Sequence, residues 1–560
     1  MRLFRRSNAP ATLASAPEGW NPLTLAWLAS LWLASLANWP LWSTLNDLPE
    51  MASLRGRLFM LAFCGMVTGL TAFVLTLAAW RWSIKPVLAL FLVAAAAGAH
   101  FMGTYNVVID STMIVNVLQT DARETRDLLS LRLFIGLIVL AVLPLVWLMR
   151  LRVQRLSVWR QLKRNLLSLL AAIVLMGALL MIFFADMSGT MRNHKHVRYL
   201  INPLNSFYAL AMVAVEAQAK PSGPPLVVGA DAKLAPRPQG AKPTLLLLVV
   251  GETARADHFS LNGYGRPTNP ELAALGVQSF REVSSCGTST ATSLPCMFSV
   301  FGKSAFESED HPRENLLDVL QRAGLAVLWL DNQAGCKGQC ERVPNAEAST
   351  PAPGSAALPT SLCQDGECLD EALLLGLDAR IAALPTDRRE HGIVVVLHQM
   401  GSHGPAYWKR SPPERKPFQP ECQTNVLQQC DRQALVNGYD NSIAYTDHVL
   451  ASAITWLQQR TATHEPAMFY MSDHGESLGE NNLYLHGLPY AFAPREQKHV
   501  PMVMWLPPAA TASKPDCLAA QLNTPFSHDN LSHTVLGLMG VQTEVYRAAL
   551  DVTAPCRAAR

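Results

Sequence analysis

The stretch 245–257, LLLLVVGETARAD, decides the fold of this chain. Its first six residues are all apolar, the length and composition of a strand buried on both faces. Gly251 breaks the run, and Glu252 stands where the strand should end. Ligands of open α/β sheets collect at the carboxyl ends of strands, so Glu252 is a candidate site residue. A carboxylate there also serves as a helix cap or a solvated acid, and the rest of the chain decides between these readings.

Other runs stop at polar clusters in the same way. LAVLWLDNQ ends near Asp331 and Asn332, and GIVVVLHQMGSHG ends at His398 and His403. AMFYMSDHGE ends at Asp473, His474 and Glu476, and VPMVMWLP is a further apolar run. Helical patterns at 313–323 and 433–458 lie between them. This alternation predicts an α/β sandwich with a largely parallel sheet. Glu252, Asp473 and His474, with His403 and His486 further out, then offer oxygen and imidazole ligands for a zinc ion. The segment 286–299, CGTSTATSLPCMFS, adds Thr288, Ser289, Thr290, Thr292 and Ser293 between two cysteines. A hydroxyl beside a metal can become a nucleophile, whereas Ser and Thr at helix starts more often only cap. Composition does not say which of them attacks.

The chain has 560 residues, half hydrophobic and only 16% charged, and these averages hide two unlike parts. Before residue 186 five stretches are long and apolar enough to span a bilayer: 22–45, 58–80, 84–102, 132–149 and 165–185. The first is too long, and too closely followed by others, for a cleaved signal, and reads as a signal anchor. Connections on the side of the N-terminus carry eleven Lys and Arg against five on the other side, which puts the N-terminus inside. Five spans then deliver residues 186 onward outside. Ten of eleven cysteines lie beyond residue 280, eight of them in close pairs, as disulfides in an oxidising compartment would. No C-x-x-C pair occurs to support the competing zinc-ribbon reading. Neighbour pairing, with Cys517 to Cys556, is the simplest connectivity. A sixth span at 206–217 is too short and would put these cysteines in the cytosol, so an interfacial helix is expected there. Residues 219–243 are rich in Pro, Gly, Ala and Lys and read as an extended linker. The net charge of +3, without a basic stripe, argues against nucleic acid as a partner.

Within the connection 103–131, Asn116, Thr120 and Glu124 recur every four residues, which predicts one polar face of a helix. Such a face is either solvated or lines a pocket for the polar head of a lipid.

Together VVGETARADHFSLNGYGRPTNP, CGTSTATSLPCMFS, GSHGPAY and SDHGESLGENNLYLHG resemble the motifs of the phosphoethanolamine transferases. The resemblance covers 243–545 by motif and nearly the whole chain by topology. It implies an alkaline-phosphatase-like or sulfatase-like fold in an inner-membrane, multi-pass enzyme whose catalytic domain is periplasmic. The domains implied are a five-helix transmembrane domain at 1–186 with a periplasmic loop at 103–131, interfacial helices and linker at 187–242, and the catalytic domain at 243–560. It implies Thr290 as nucleophile and Glu252, Thr290, Asp473 and His474 as zinc ligands. His403 and His486 would face the substrate phosphate or a second zinc, and Lys337 would assist with phosphate. Asn116, Thr120 and Glu124 match the family's NVxxTxxxE face, which helps hold the ethanolamine head group. The implied reaction moves phosphoethanolamine from phosphatidylethanolamine to lipid A or another lipopolysaccharide group. A departure stands at 331–337, DNQAGCK, where relatives often carry a second Asn and a Ser in place of Gln333 and Ala334. Cys336 and Cys340 look like an extra disulfide. Sulfatases mature a Cys or Ser within C/S-x-P-x-R, and that pentapeptide is absent here. The alternative reading is a glycerol-phosphate transferase acting on a periplasmic glycan, distinguished by its donor.

Overall fold

A computed structural model describes residues 19–120, 122–219, 223–364, 367–506 and 516–557. The N-terminal arginines and the side chains of Arg123 and Glu124 lie outside the described residues. The chain forms two compact units. One joins residues 1–100 with 131–206, and the other joins 101–130 with 207–560.

Among the described residues four helices are long and apolar enough to cross a membrane: Leu54–Leu77, Ile84–Tyr105, Leu131–Arg150 and Val158–Ile182. Helix Val158–Ile182 is inside out by the standards of a protein in water. It buries Gln161, Asn165, Ser168 and Ala172, spaced four, three and four residues apart along one stripe. It exposes Leu166, Leu167, Leu170, Ile173, Val174 and Met181. In lipid the apolar face needs no partner, while polar groups must find theirs within the protein. Gln161 donates to the Ala79 carbonyl at 3.0 Å, and Ser168 lies 3.1 Å from the Thr76 hydroxyl.

The first apolar stretch does not form one continuous helix. It is built as helix Pro22–Ser35, a 3-10 turn Leu36–Asn38 and helix Trp39–Asn46. Pro40 has no N–H to offer the Leu36 carbonyl, and its ring crowds that carbonyl. Asn38 uses the break, donating to the Leu33 carbonyl at 2.8 Å and accepting from the Asn202 amide at 2.9 Å. The stretch expected to lie at the interface is helix Leu204–Ala219, at 16 residues shorter than a span.

In the second unit the run 245–250 is the centre of a seven-stranded sheet. Across the sheet the strands are Gln278–Phe280, Met502–Trp505, Glu465–Ser472, Thr244–Gly251, Ile393–His398, Ala326–Asp331 and Asn345–Glu347. Only Met502–Trp505 runs against the others. Successive side chains of a strand point to opposite faces, so Leu246, Leu248 and Val250 join one core and Leu245, Leu247 and Val249 the other. Helices Thr290–Met297, Leu316–Arg322 and Asp529–Leu538 cover the first face, and Arg432–Gln458 covers the second. Glu252 continues the parity of Leu248 and Val250 just past the strand, on the side of helix Thr290–Met297.

Five disulfides follow the neighbour pairing: Cys286–Cys296, Cys336–Cys340, Cys363–Cys368, Cys422–Cys430 and Cys517–Cys556. Cys64, in a membrane helix, is free.

One expectation is corrected. Asn116, Thr120 and Glu124 do not share a continuous helix. Helix Ser111–Gln119 stops at Thr120, whose backbone turns extended, and a second helix Ala122–Leu128 follows. The Thr120 hydroxyl donates to the Asn116 carbonyl at 2.9 Å, taking up one of the acceptors that the helix end leaves without an amide.

Because Leu248 is fully buried in the central strand, Leu248→Ala should lower the stability of the soluble unit by about 2–5 kcal/mol. Denaturant unfolding followed by tryptophan fluorescence measures this, and a loss below about 1 kcal/mol would mean that the strand is not the centre of the core.

Candidate active site

Strands Thr244–Gly251 and Glu465–Ser472 are paired in register, Ser472 opposite Gly251. The next residue on each is an acid, so Glu252 and Asp473 emerge side by side, both fully buried. His474 follows immediately. Its Nδ1–H donates to the Gly475 carbonyl at 2.9 Å, which leaves Nε2 as the ligand atom. Nε2 lies 3.3 Å from Glu252 Oε1 and 3.4 Å from Asp473 Oδ2. One ligand atom from each of the three lies within 4.8 Å of the others. Among the described residues Glu252 Oε1 and Asp473 Oδ2 have no hydrogen-bond donor, although both are buried. Two buried carboxylate oxygens aimed with an imidazole nitrogen at one point are what a divalent cation requires, and this is the observation that fits a metal here.

The backbone around Glu252 is held in an uncommon form. Thr253, β-branched, sits at φ +52°. Such a conformation persists only where the surroundings fix it. The Tyr439 hydroxyl donates to the Thr253 carbonyl at 2.7 Å, and the Thr253 amide donates to Asp473 at 3.3 Å. Gly401, at φ +52°, lets the loop after strand Ile393–His398 cross over Glu252; a Cβ there would lie 2.7 Å from the Glu252 carbonyl oxygen. Asp370 anchors that loop by accepting the Met400 and Gly401 amides at 2.8 and 2.9 Å.

Among the five hydroxyls of 288–293 the structure separates the roles that composition left open. Thr288 donates to the Leu488 carbonyl at 2.6 Å, and Ser293 accepts the Gly287 amide at 3.0 Å. Ser289 reaches Thr292 at 3.4 Å. Thr290 alone is turned to the Glu252–Asp473–His474 cluster: its Oγ1 donates to Glu252 Oε2 at 2.9 Å and lies 3.4 Å from His474 Nε2. It is the first residue of helix Thr290–Met297, where the helix end favours developing negative charge.

The two outer histidines stand beside this cluster. The His486 ring is 4.3 Å from the His474 ring and 5.6 Å from that of His403, centre to centre. Glu476, noticed in the sequence only as part of a polar strand end, orients His486 by accepting from Nδ1 at 3.2 Å. The same carboxylate accepts from the Tyr407 hydroxyl at 3.0 Å. Burial and Glu476 push that phenol well up, so it stays a donor. Tyr407 closes the GSHGPAY motif, which was the signal available for it.

Lys337 is not drawn into the Glu252–Asp473–His474 cluster. Its ammonium donates to the Ala334 carbonyl at 2.9 Å and to the Gln119 carbonyl at 3.3 Å, so it meets the end of the helix that carries Asn116. That helix packs on helix Thr290–Met297. Met113 lies where a Cβ on Gly487 would be, 2.7 Å from its Cε, beside His486.

Crowding two acids and an imidazole in a buried site shifts their protonation. Burial, then Glu252 beside it, pushes Asp473 up to about 7. Burial opposes charge on His474, but Asp473 and Glu252 outweigh it and raise the imidazole to about 10. A cation that takes Nε2 must therefore displace the His474 proton, and below about pH 7 it also competes for Asp473. Zinc affinity, read by competition with a chelator, should rise about tenfold per pH unit from pH 7 to 9 and more steeply below. An affinity that does not change with pH would contradict this ligand set.

Comparison with known proteins agrees with this geometry. Residues 244–541 match the Sulfatase family, and residues 67–217 match the family described as Phosphoethanolamine transferase EptA/EptB. The phosphoethanolamine transferase EptA of Salmonella typhimurium is 40% identical over 95% of this chain and 97% of its own length. The phosphatidylethanolamine transferase Mcr-1 of Escherichia coli is 37% identical over 94% and 96%. The solved structure of the integral membrane lipooligosaccharide phosphoethanolamine transferase A from Neisseria meningitidis superposes with a TM-score of 0.88 at 34% identity. That match covers 96% of this chain and 99% of the other. Set beside a buried threonine that meets two acids and a histidine at the strand ends, these matches establish that the chain belongs to the phosphoethanolamine transferase family.

Proposed function

We propose that this chain moves phosphoethanolamine from phosphatidylethanolamine to lipid A in two steps, through a covalent intermediate on Thr290. The observation that carries the reading is the Thr290 hydroxyl, buried and hydrogen-bonded at 2.9 Å to Glu252 Oε2. The names of the relatives support the donor and the class of acceptor, and the motif resemblance favours lipid A among the lipopolysaccharide groups.

In the first step Thr290 Oγ1 attacks the phosphorus of the donor. A new P–O bond forms as the bond to the diacylglycerol oxygen breaks. Glu252 Oε2, already the acceptor of the Thr290 hydroxyl, is the atom placed to take its proton. His486, fixed by Glu476, and His403 beside it carry imidazoles toward the phosphoryl group. One of them gives a proton to the departing diacylglycerol oxygen. In the second step an acceptor oxygen, deprotonated at the same histidine, attacks the phosphorus, the bond to Thr290 Oγ1 breaks, and Glu252 Oε2 returns the proton to that oxygen. Glu252 Oε1, Asp473 Oδ2 and His474 Nε2, with Thr290 Oγ1, would hold zinc. Bound zinc lowers the pKa of the threonine hydroxyl and offsets charge on the phosphoryl oxygens. Asn116, Thr120 and Glu124 receive the ethanolamine head, where a carboxylate suits an ammonium group, and Lys337 serves the phosphate side.

We read five spans, counting the stretch 22–45 as the first, and the Lys and Arg bias of the connections then assigns the N-terminus to the cytoplasm and the catalytic unit to the periplasm. Disulfides fit that compartment. The added amine lowers the negative charge of the cell surface and weakens binding of cationic peptides such as polymyxin.

Mass spectrometry of lipid A from a Gram-negative host expressing the chain tests the reading. A phosphoethanolamine adduct is expected with the unaltered chain and not with Thr290→Ala, although Thr290→Ala should still bind zinc. Transfer by Thr290→Ala would overturn the nucleophile, and an adduct on core sugars alone would overturn the acceptor.

A further inference from the structure

The connection 101–130 is fastened to the catalytic unit at a place that neither the metal cluster nor the implied head-group residues include. Asp127, in helix Ala122–Leu128, is 2% exposed and carries two cations. Lys409 pairs with its Oδ1, and Arg410 Nη2 donates to its Oδ2 at 2.8 Å. The Asn425 side chain donates to the Asp127 carbonyl, and the Asn425 carbonyl accepts from the Tyr105 hydroxyl at 3.2 Å.

One cation is enough to neutralise one carboxylate, and Lys409 is that cation. Arg410 adds something else. Its Nε–H donates to the main-chain carbonyl of His403 at 2.8 Å while its Nη2 holds Asp127. Arg410 is 8% exposed, so both bonds are made away from water. A guanidinium is a rigid planar fork, and two acceptors held by one fork keep a fixed distance and direction from each other. One acceptor belongs to the segment that ends the 111–128 helices, and the other to the residue beside His486. An ammonium, a point charge on a flexible stem, cannot hold both acceptors in this way.

We propose that Arg410 is a positioning residue for the transfer, tying the segment 111–128 to the backbone of His403 so that the two take their places together. Its effect on the donor rests on the reading above that 116–124 receives the head group. The mechanical link does not.

The test uses the purified full-length chain in lipid nanodiscs, with Arg410→Gln, Arg410→Lys, Asp127→Asn and the double variant. Hydrogen exchange reads the link. Arg410→Gln should speed exchange in 111–128, and Asp127→Asn should speed it in 401–406, with zinc content unchanged in both. With phosphatidylethanolamine as donor, the KM of either variant should rise about tenfold while kcat falls less. Arg410→Lys should not restore the KM. The double variant should be no worse than the worse single one, because both remove the same tie. Exchange changes confined to each variant's own segment, or losses that add in the double variant, would overturn the proposal. Asp127→Asn keeps the side-chain shape and decides the matter if Arg410→Gln is not recovered folded. If Asn116→Ala leaves the donor KM unchanged while the reciprocal exchange effect is present, the head-group reading fails and the link stands.

Discussion

Two carboxylates, fully buried side by side at the ends of neighbouring parallel strands, are the constraint on which the rest of this molecule depends. Register pairing alone brings Glu252 and Asp473 together. Their mutual repulsion and the loss of hydration must be balanced by positive charge. His474 supplies part of it, and the two oxygens to which no described residue donates fit a bound cation. Around this unfavourable core the chain spends its unusual local geometry. Thr253 is held at positive φ, Gly401 passes close over the Glu252 carbonyl, and Asp370 anchors the crossing loop. The helix carrying Thr290 is set down on the same face, and Cys286–Cys296 ties the segment before it to its last turn.

A second layer of polar contacts aims the histidines. Glu476 fixes one nitrogen of His486, Tyr407 fixes Glu476, and Gly475 fixes one nitrogen of His474. At His474 the hydrogen bond at Nδ1 leaves Nε2 facing Glu252 and Asp473. Orientation by such partners is what converts a group of histidines into a site with assigned directions.

Much of this was legible in the residues, for stated reasons. A run of six apolar residues ended by Gly251 has the length of a strand buried on both faces, and the strands that stop at Asp331, His398 and Ser472 share the pattern. Closely spaced cysteines have few partners to choose from, and the neighbour pairing is what formed. The identity of the hydroxyl turned to Glu252 was not legible from composition, because five candidates lie within six residues and only the fold directs them. The break at Thr120 was hidden because a four-residue repeat is blind to where a helix stops. The break at Leu36–Asn38 had a visible cause in Pro40, but the apolar run around it looked continuous. The tie between Asp127 and Arg410 joins residues 283 apart, and no local pattern marks it.

The measurement that bears most directly on the account is the trapping of the intermediate. The purified, zinc-loaded chain is mixed with phosphatidylethanolamine without acceptor, quenched in acid, digested and mapped by mass spectrometry. The account predicts one phosphoethanolamine group on the peptide containing Thr290, on that side chain, removed again when lipid A is added before the quench. An unmodified Thr290 peptide during active transfer, or the group on another side chain, would contradict it.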